Sequence, residues 1–184
     1  MVPMNSDAVQ TFSALLALVA LAGGLITFLS LEVRSSWADT WIATVREYGV
    51  WAMCAITSTA MVGSLYFSES VGYAPCKYCW YQRIAMYSIA IITLVAAVMK
   101  DNGIARYTIA LAPLGLAVSV YHYLLEWGVI NQKSACSLDV PCTSIWFREF
   151  GFVTLCFMAG CAFIAVIAFS IALLRAQPTS SQED

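Results

Sequence analysis

Uncharged, apolar residues gather in five long runs, Val9–Leu31, Tyr48–Ser68, Ile84–Met99, Tyr107–Leu125 and Phe150–Leu174, with polar stretches between them. A helix needs about 20 residues to cross a bilayer. Hydrocarbon offers the backbone no outside hydrogen-bond partner, so each run predicts a membrane-spanning helix. The third span is lengthened outward by "CWYQR", and the fourth carries His122 near its end. Between the first two runs, Val33, Trp37, Trp41 and Val45 recur every four residues, with Arg34, Asp39, Arg46 and Glu47 on other faces. That spacing predicts an amphipathic segment over 32–47, either lying in the membrane interface or simply connecting the spans. The tail 175–184 is polar and predicts a disordered end.

Composition agrees with the pattern. The chain is 61% hydrophobic and 11% charged, against roughly 25% charged for a soluble domain. A net charge of −2 provides no basic surface for nucleic acid. "MVPMNSDA", ahead of the first run, has no Lys or Arg. A secretory signal needs a positive start, so the first run is expected to be retained. Lys and Arg set orientation. Discounting Lys77 and Arg83, which flank cysteines, residues 32–47, 100–106 and 175–184 are expected in the cytoplasm. Alternation then puts residues 69–83 and 126–149 outside, with the N-terminus outside and the C-terminus inside.

The candidate chemistry lies in the cysteines, seven in all. Cys54, Cys156 and Cys161 stand alone in apolar runs and read as small packing residues. Cys76/Cys79 and Cys136/Cys142 are closely spaced pairs just outside the runs, both on the expected outer face. The first pair lies in "PCKYCWYQR". A C-x-x-C loop is too small to stabilise much by closure. A four-cysteine metal site is open to the chain, but a single histidine argues against His-rich metal chemistry. Dithiol–disulfide exchange suits the spacing best. Cys79 leads into a helix whose N-terminal dipole favours a thiolate, and Arg83 follows one turn later. Arginine is costly so near hydrocarbon, which points to a role beyond anchoring. His122, with Glu126 four residues on, is expected at the same depth, and Trp80, Tyr81, Tyr121 and Tyr123 suggest a pocket for a planar apolar oxidant.

Taken in order, "GSLYFSESVGYAPCKYCWYQRIAMY", "YHYL", "CSLDVPC" and "WFREFGFVTL" resemble the DsbB/BdbC family of disulfide-bond formation proteins, in its short-loop, Gram-positive-like branch. The resemblance covers roughly residues 48–174. It implies an all-α membrane protein: a four-helix bundle (48–68, 84–99, 107–125, 150–174) around a quinone, preceded here by one additional N-terminal helix, 9–31. It also implies a membrane enzyme, a quinone-dependent thiol-disulfide oxidoreductase of the bacterial cell membrane. The implied catalytic residues are Cys76, Cys79, Cys136 and Cys142, and the implied quinone-binding residues are Arg83 and His122. The implied partner is a DsbA-like or BdbD-like thioredoxin-fold protein on the outer face, and the acceptor is a menaquinone or ubiquinone. In that scheme a reduced partner attacks the Cys136–Cys142 bond, Cys142 passes electrons to Cys76, and Cys79 delivers them to the quinone. A vitamin K epoxide reductase-like arrangement fits less well, because its loop pair precedes the C-x-x-C. The rival from another class is a non-catalytic membrane protein with structural disulfides or a four-cysteine metal site.

Overall fold

The computed structural model describes residues 6–33, 35–130 and 141–176. Five helices in it are long and apolar enough to cross a membrane. They are α1 (Ser6–Glu32), α2 (Ser36–Leu65, prolonged by a π turn, Tyr66–Ser70), α3 (Lys77–Met99), α4 (Ala105–Glu126) and α5 (Leu155–Ala176). The protein is an all-α membrane protein; among the described residues the sole β pairing is an isolated bridge, Glu149 with Val153.

Two boundaries differ from the sequence pattern, each for a local reason. The stretch read as an amphipathic segment over 32–47 begins α2 at Ser36 and runs unbroken into the second span. Its apolar side packs on the bundle: Val45 is buried, and Trp41 donates its indole N–H to Thr27 Oγ1 on α1 at 3.0 Å. Trp37, from the same stripe, stays exposed. The fifth span starts at Leu155 rather than Phe150. Phe150 and Gly151 have φ of 51° and 80°, a left-handed pair that no helix accommodates. They form a tight turn in which Glu149 and Val153 exchange backbone hydrogen bonds at 2.9 Å. The third span begins at Lys77, two residues before the Cys79 start that its outward extension predicted.

α5 is the most buried of the helices and packs against α1, α2 and α4. Lipid gives apolar side chains no drive to associate, so close backbone approach and interhelical hydrogen bonds hold such bundles. Both are present. A Cβ at Gly24 of α1 would lie 2.9 Å from the Cα of Ala165, and one at Gly115 of α4 would overlap the ring of Phe163. Buried hydroxyls pair across helices: Thr57 with Thr93 at 3.3 Å and Thr108 with Ser170 at 2.7 Å. Each of these also bonds a carbonyl in its own preceding turn, so no polar atom of theirs is left without a partner. The outer faces carry apolar side chains such as Leu15, Ile91, Val98 and Leu114.

The helix ends sort into two levels. Gln10 of α1 bonds Tyr73, Thr11 bonds Glu149, and Tyr123 bonds the Phe152 carbonyl. These contacts gather the start of α1, the 71–76 loop, the end of α4 and the segment before α5 at one end of the bundle. At the other end Arg175 meets Glu32 at 3.6 Å.

Candidate active site

The segment leading into α3 is built for a cysteine at its mouth. Pro75 precedes Cys76, and Cys76 is the N-cap residue in an extended conformation. An N-cap side chain accepts from the backbone N–H two or three residues on. Cys76 Sγ does so, accepting from the N–H of Cys79 at 3.3 Å. The C-x-x-C spacing therefore equals the spacing from N-cap to N3, which brings the two sulfurs to 3.0 Å. Both thiols are free.

This gives the helix N-terminus to Cys76 and not, as the sequence suggested, to Cys79. The Cys76 thiol is pulled from its ordinary 9.0 down to about 4, chiefly by the Cys79 thiol, then by His122, with burial acting against the shift. His122, buried on α4, presents Nε2 3.6 Å from Cys76 Sγ and 3.1 Å from the Cys142 carbonyl. Its Nδ1 is buried and has no hydrogen-bond partner among the described residues. Cys142 is fully buried, clusters with Cys76 and Leu125, and is disulfide-bonded. Cys136 lies outside the described residues. Three of the four sequence-predicted cysteines, with His122, thus share one small neighbourhood.

Arg83 sits one turn after Cys79 and reaches across to α2. Its Nε donates to Ser64 Oγ and its terminal nitrogen to the Ser64 carbonyl, both at 3.0 Å, and its guanidinium lies 5.4 Å from the Trp80 ring. There it borders a partly open cavity of about 460 Å³, lined by α1, α2, α3, α5 and the loops at the cysteine end. That size is ordinary for a small-molecule site. Cys79, Gln82 and Arg83 line one end; Ala162 and Phe169 of α5 line it further along the bundle. Neither Cys76 nor His122 borders it. The C-x-x-C pair is unequal: Cys79 alone of the two borders this cavity, while both lie in the neighbourhood of Cys142 and His122.

The rings around this cavity are not those the sequence suggested. Trp80 and Tyr81 are largely exposed, and neither they nor Tyr121 and Tyr123 line it. Instead Tyr73 lies between Phe67 and Trp146, stacked on them at centroid distances of 5.9 and 4.9 Å, and all three border the cavity. Ser64 and Gln82 were also missed. A glutamine in an apolar helix is a usable signal; Gln82 is buried and donates to Ser119 Oγ at 3.2 Å. Cys156 is buried as a packing residue would be, yet it also donates to Glu126 at 2.8 Å beside Thr154, which donates at 2.7 Å. No sequence pattern marks that triad.

Comparison with known proteins agrees with these features. The family model described as "Disulfide bond formation protein DsbB" matches residues 46–174. A probable disulfide formation protein of Oceanobacillus iheyensis is 44% identical over 120 residues, covering 64% of this chain and 83% of the relative. Disulfide bond formation protein C of Bacillus subtilis is 40% identical over 124 residues, covering 66% and 87%. A probable disulfide formation protein C 1 of Bacillus anthracis is 37% identical over 131 residues, covering 71% and 94%. No solved structure gives a significant match.

Proposed function

The chain belongs to the DsbB family of disulfide bond formation proteins, hence to membrane thiol-disulfide oxidoreductases, and from that premise we propose that it couples an extracytoplasmic dithiol protein to a membrane quinone. The position of Cys79 carries this reading. Cys79 borders the cavity and also packs against the cluster of Cys76 and Cys142, so it stands between the two.

The donor is a DsbA-like or BdbD-like thioredoxin-fold protein. Its thiolate attacks the Cys136–Cys142 disulfide at Cys136, forming a mixed disulfide and releasing Cys142. The partner's second thiol then resolves that bond, leaving the partner oxidised. The Cys142 thiolate attacks Cys76 of the oxidised inner pair, and Cys79 leaves as a thiolate. Cys136 then attacks Cys142, restoring the loop disulfide and releasing Cys76, which gives the reduced inner pair. Reoxidation forms the Cys76–Cys79 bond. The two electrons released in forming that bond go to quinone, which takes up two protons to become quinol, the same number that the partner's two thiols gave up. The apolar cavity with Arg83 at the sulfur end fits a planar ring bearing carbonyl oxygens and an apolar tail. His122, bonded to the Cys142 backbone and touching Cys76, holds the two pairs in register. Arg46, Lys100, Arg106 and Arg175 are read as cytoplasmic, which sets the cysteine end outside.

The test is turnover of a reduced thioredoxin-fold partner with quinone, with thiols trapped before and after. Partner oxidation that survives Cys79→Ala, or that ignores quinone, defeats the proposal. A second reading rests on one observation: the ligand atoms of Cys76, Cys79 and His122 lie within 4.8 Å of one another, close enough for a metal ion. Stoichiometric zinc in purified protein, released by thiol alkylation, would favour it.

A further inference from the structure

The first helix lies outside the stretch that matches the family, which begins at residue 46, and yet it borders the cavity that Cys79 faces. Ser13, Leu16, Ala17, Val19, Ala20 and Gly23 of α1 form one wall. From Ser13 to Gly23 the wall extends about 15 Å along the helix axis. Its Ser13 end is nearer the cysteines, because Gln10 just above it donates to Tyr73 at 2.9 Å. Its Gly23 end faces Phe169, whose ring would lie 3.9 Å from a Cβ placed there.

This wall is fixed rather than loosely apposed. Below it, Gly24 closes directly onto the backbone of Ala165, and Thr27 accepts from Trp41. Above it, Thr11 donates to Glu149 at 3.2 Å. Between these anchors the cavity side of α1 carries Ala17, Ala20 and Gly23, one turn apart, which leaves space open. The side turned to lipid carries Phe12 and Leu15, both exposed. The remaining walls come from α2 with its π turn, α3 and α5, and from Tyr73 and Trp146 in the loops at the cysteine end. α1 supplies one side of that volume.

We infer that α1 is the specificity wall of the quinone site, with the cavity side of Ala17, Ala20 and Gly23 seating the apolar tail of a quinone whose ring lies at Cys79. This rests on the quinone reading above and extends it to a helix for which the family match gives no role. The ring end is served by Cys79, Arg83 and Gln82. The tail end is shaped by α1 and Phe169, so the two ends of the ligand are read by different helices.

The test separates tail from ring. Full-length protein in detergent is assayed with two quinones sharing one ring, one bearing an isoprenoid tail and one without it. Ala20→Leu, which places a branched side chain in the wall, is expected to raise KM for the tailed quinone about tenfold. It should leave KM for the tail-less quinone and kcat for both near wild type. Leu15→Ala, on the lipid side, should change neither. Should Ala20→Leu fail to fold, judged by loss of disulfide exchange with the partner, the smaller Ala20→Val decides by the same comparison. Equal KM for the tailed quinone in wild type and variant overturns the inference, as does an equal rise for both quinones. A wild-type protein that reduces neither quinone defeats the quinone reading itself. Wild-type reduction with an indifferent Ala20 variant defeats only the role of α1.

Discussion

Replacing His122 by Ala offers a quantitative test of how the C-x-x-C pair is poised. Cys76 has its thiol held at about 4, first by the Cys79 thiol and next by His122. The substitution removes the Nε2 contact at 3.6 Å and leaves the Cys79 thiol and N–H in place. A hydrogen bond to a charged group contributes about 1.5–3 kcal/mol, and each pKa unit corresponds to about 1.4 kcal/mol. The Cys76 pKa should therefore rise by about one to two units. It should stay well below 9.0, because the largest cause persists. For a thiol with a depressed pKa the anion is lost as pH falls through that pKa. At about pH 5 the wild type should keep most of its thiolate while the variant has lost much of it. The assay is thiolate absorbance in the ultraviolet against pH. It uses reduced protein in which Cys136 and Cys142 are replaced by Ser, with a Cys76→Ser variant subtracted. His122→Gln, which keeps a donor, should recover part of the shift. An apparent pKa unchanged in His122→Ala would refute the reasoning. So would a rise all the way to 9.0, which would make His122 the dominant cause in place of Cys79.

Two further predictions concern the cavity and the bundle. Arg83→Ala removes the cation at the sulfur end of the cavity, and KM for quinone should rise about tenfold, or about 1.4 kcal/mol. Exchange with the dithiol partner should be unchanged; steady-state kinetics varying each substrate in turn separates the two, and an unaltered quinone KM rejects the role. Gly115→Ala puts a methyl group into the ring of the fully buried Phe163. Such overpacking should cost about 1–3 kcal/mol, read as a lower denaturation midpoint in detergent, whereas an unchanged midpoint would mean that α4 and α5 part readily.

The helices were legible because their cause is one-dimensional. Long uncharged runs have no alternative to helix in hydrocarbon, and the outward extension of α3 through "CWYQR" was read with them, two residues short of its start at Lys77. The turn at Phe150–Gly151 was not, since its apolar residues read as span while their left-handed backbone ends it. Within the site, the cysteines and Arg83 stood out by type and spacing. Which sulfur receives the helix N-terminus did not. Helix entry at Lys77 rather than a few residues later makes Cys76 the cap, and the difference is a single turn. Contacts between distant segments were the least visible: Tyr73 with Trp146, Gln10 with Tyr73, and Cys156 with Glu126 depend on packing that no local pattern encodes.

The central claim is that electrons leave the protein through Cys79 into the cavity. It is tested most directly by a single turnover. Protein with Cys136 and Cys142 replaced by Ser, reduced and freed of excess reductant, is mixed anaerobically with quinone, and quinol is followed by absorbance. The account predicts one quinol per protein with formation of the Cys76–Cys79 disulfide, and none when Cys79 is also replaced by Ser. Quinol formed at the same yield without Cys79, or a C-x-x-C pair that stays reduced in the presence of quinone, would contradict it.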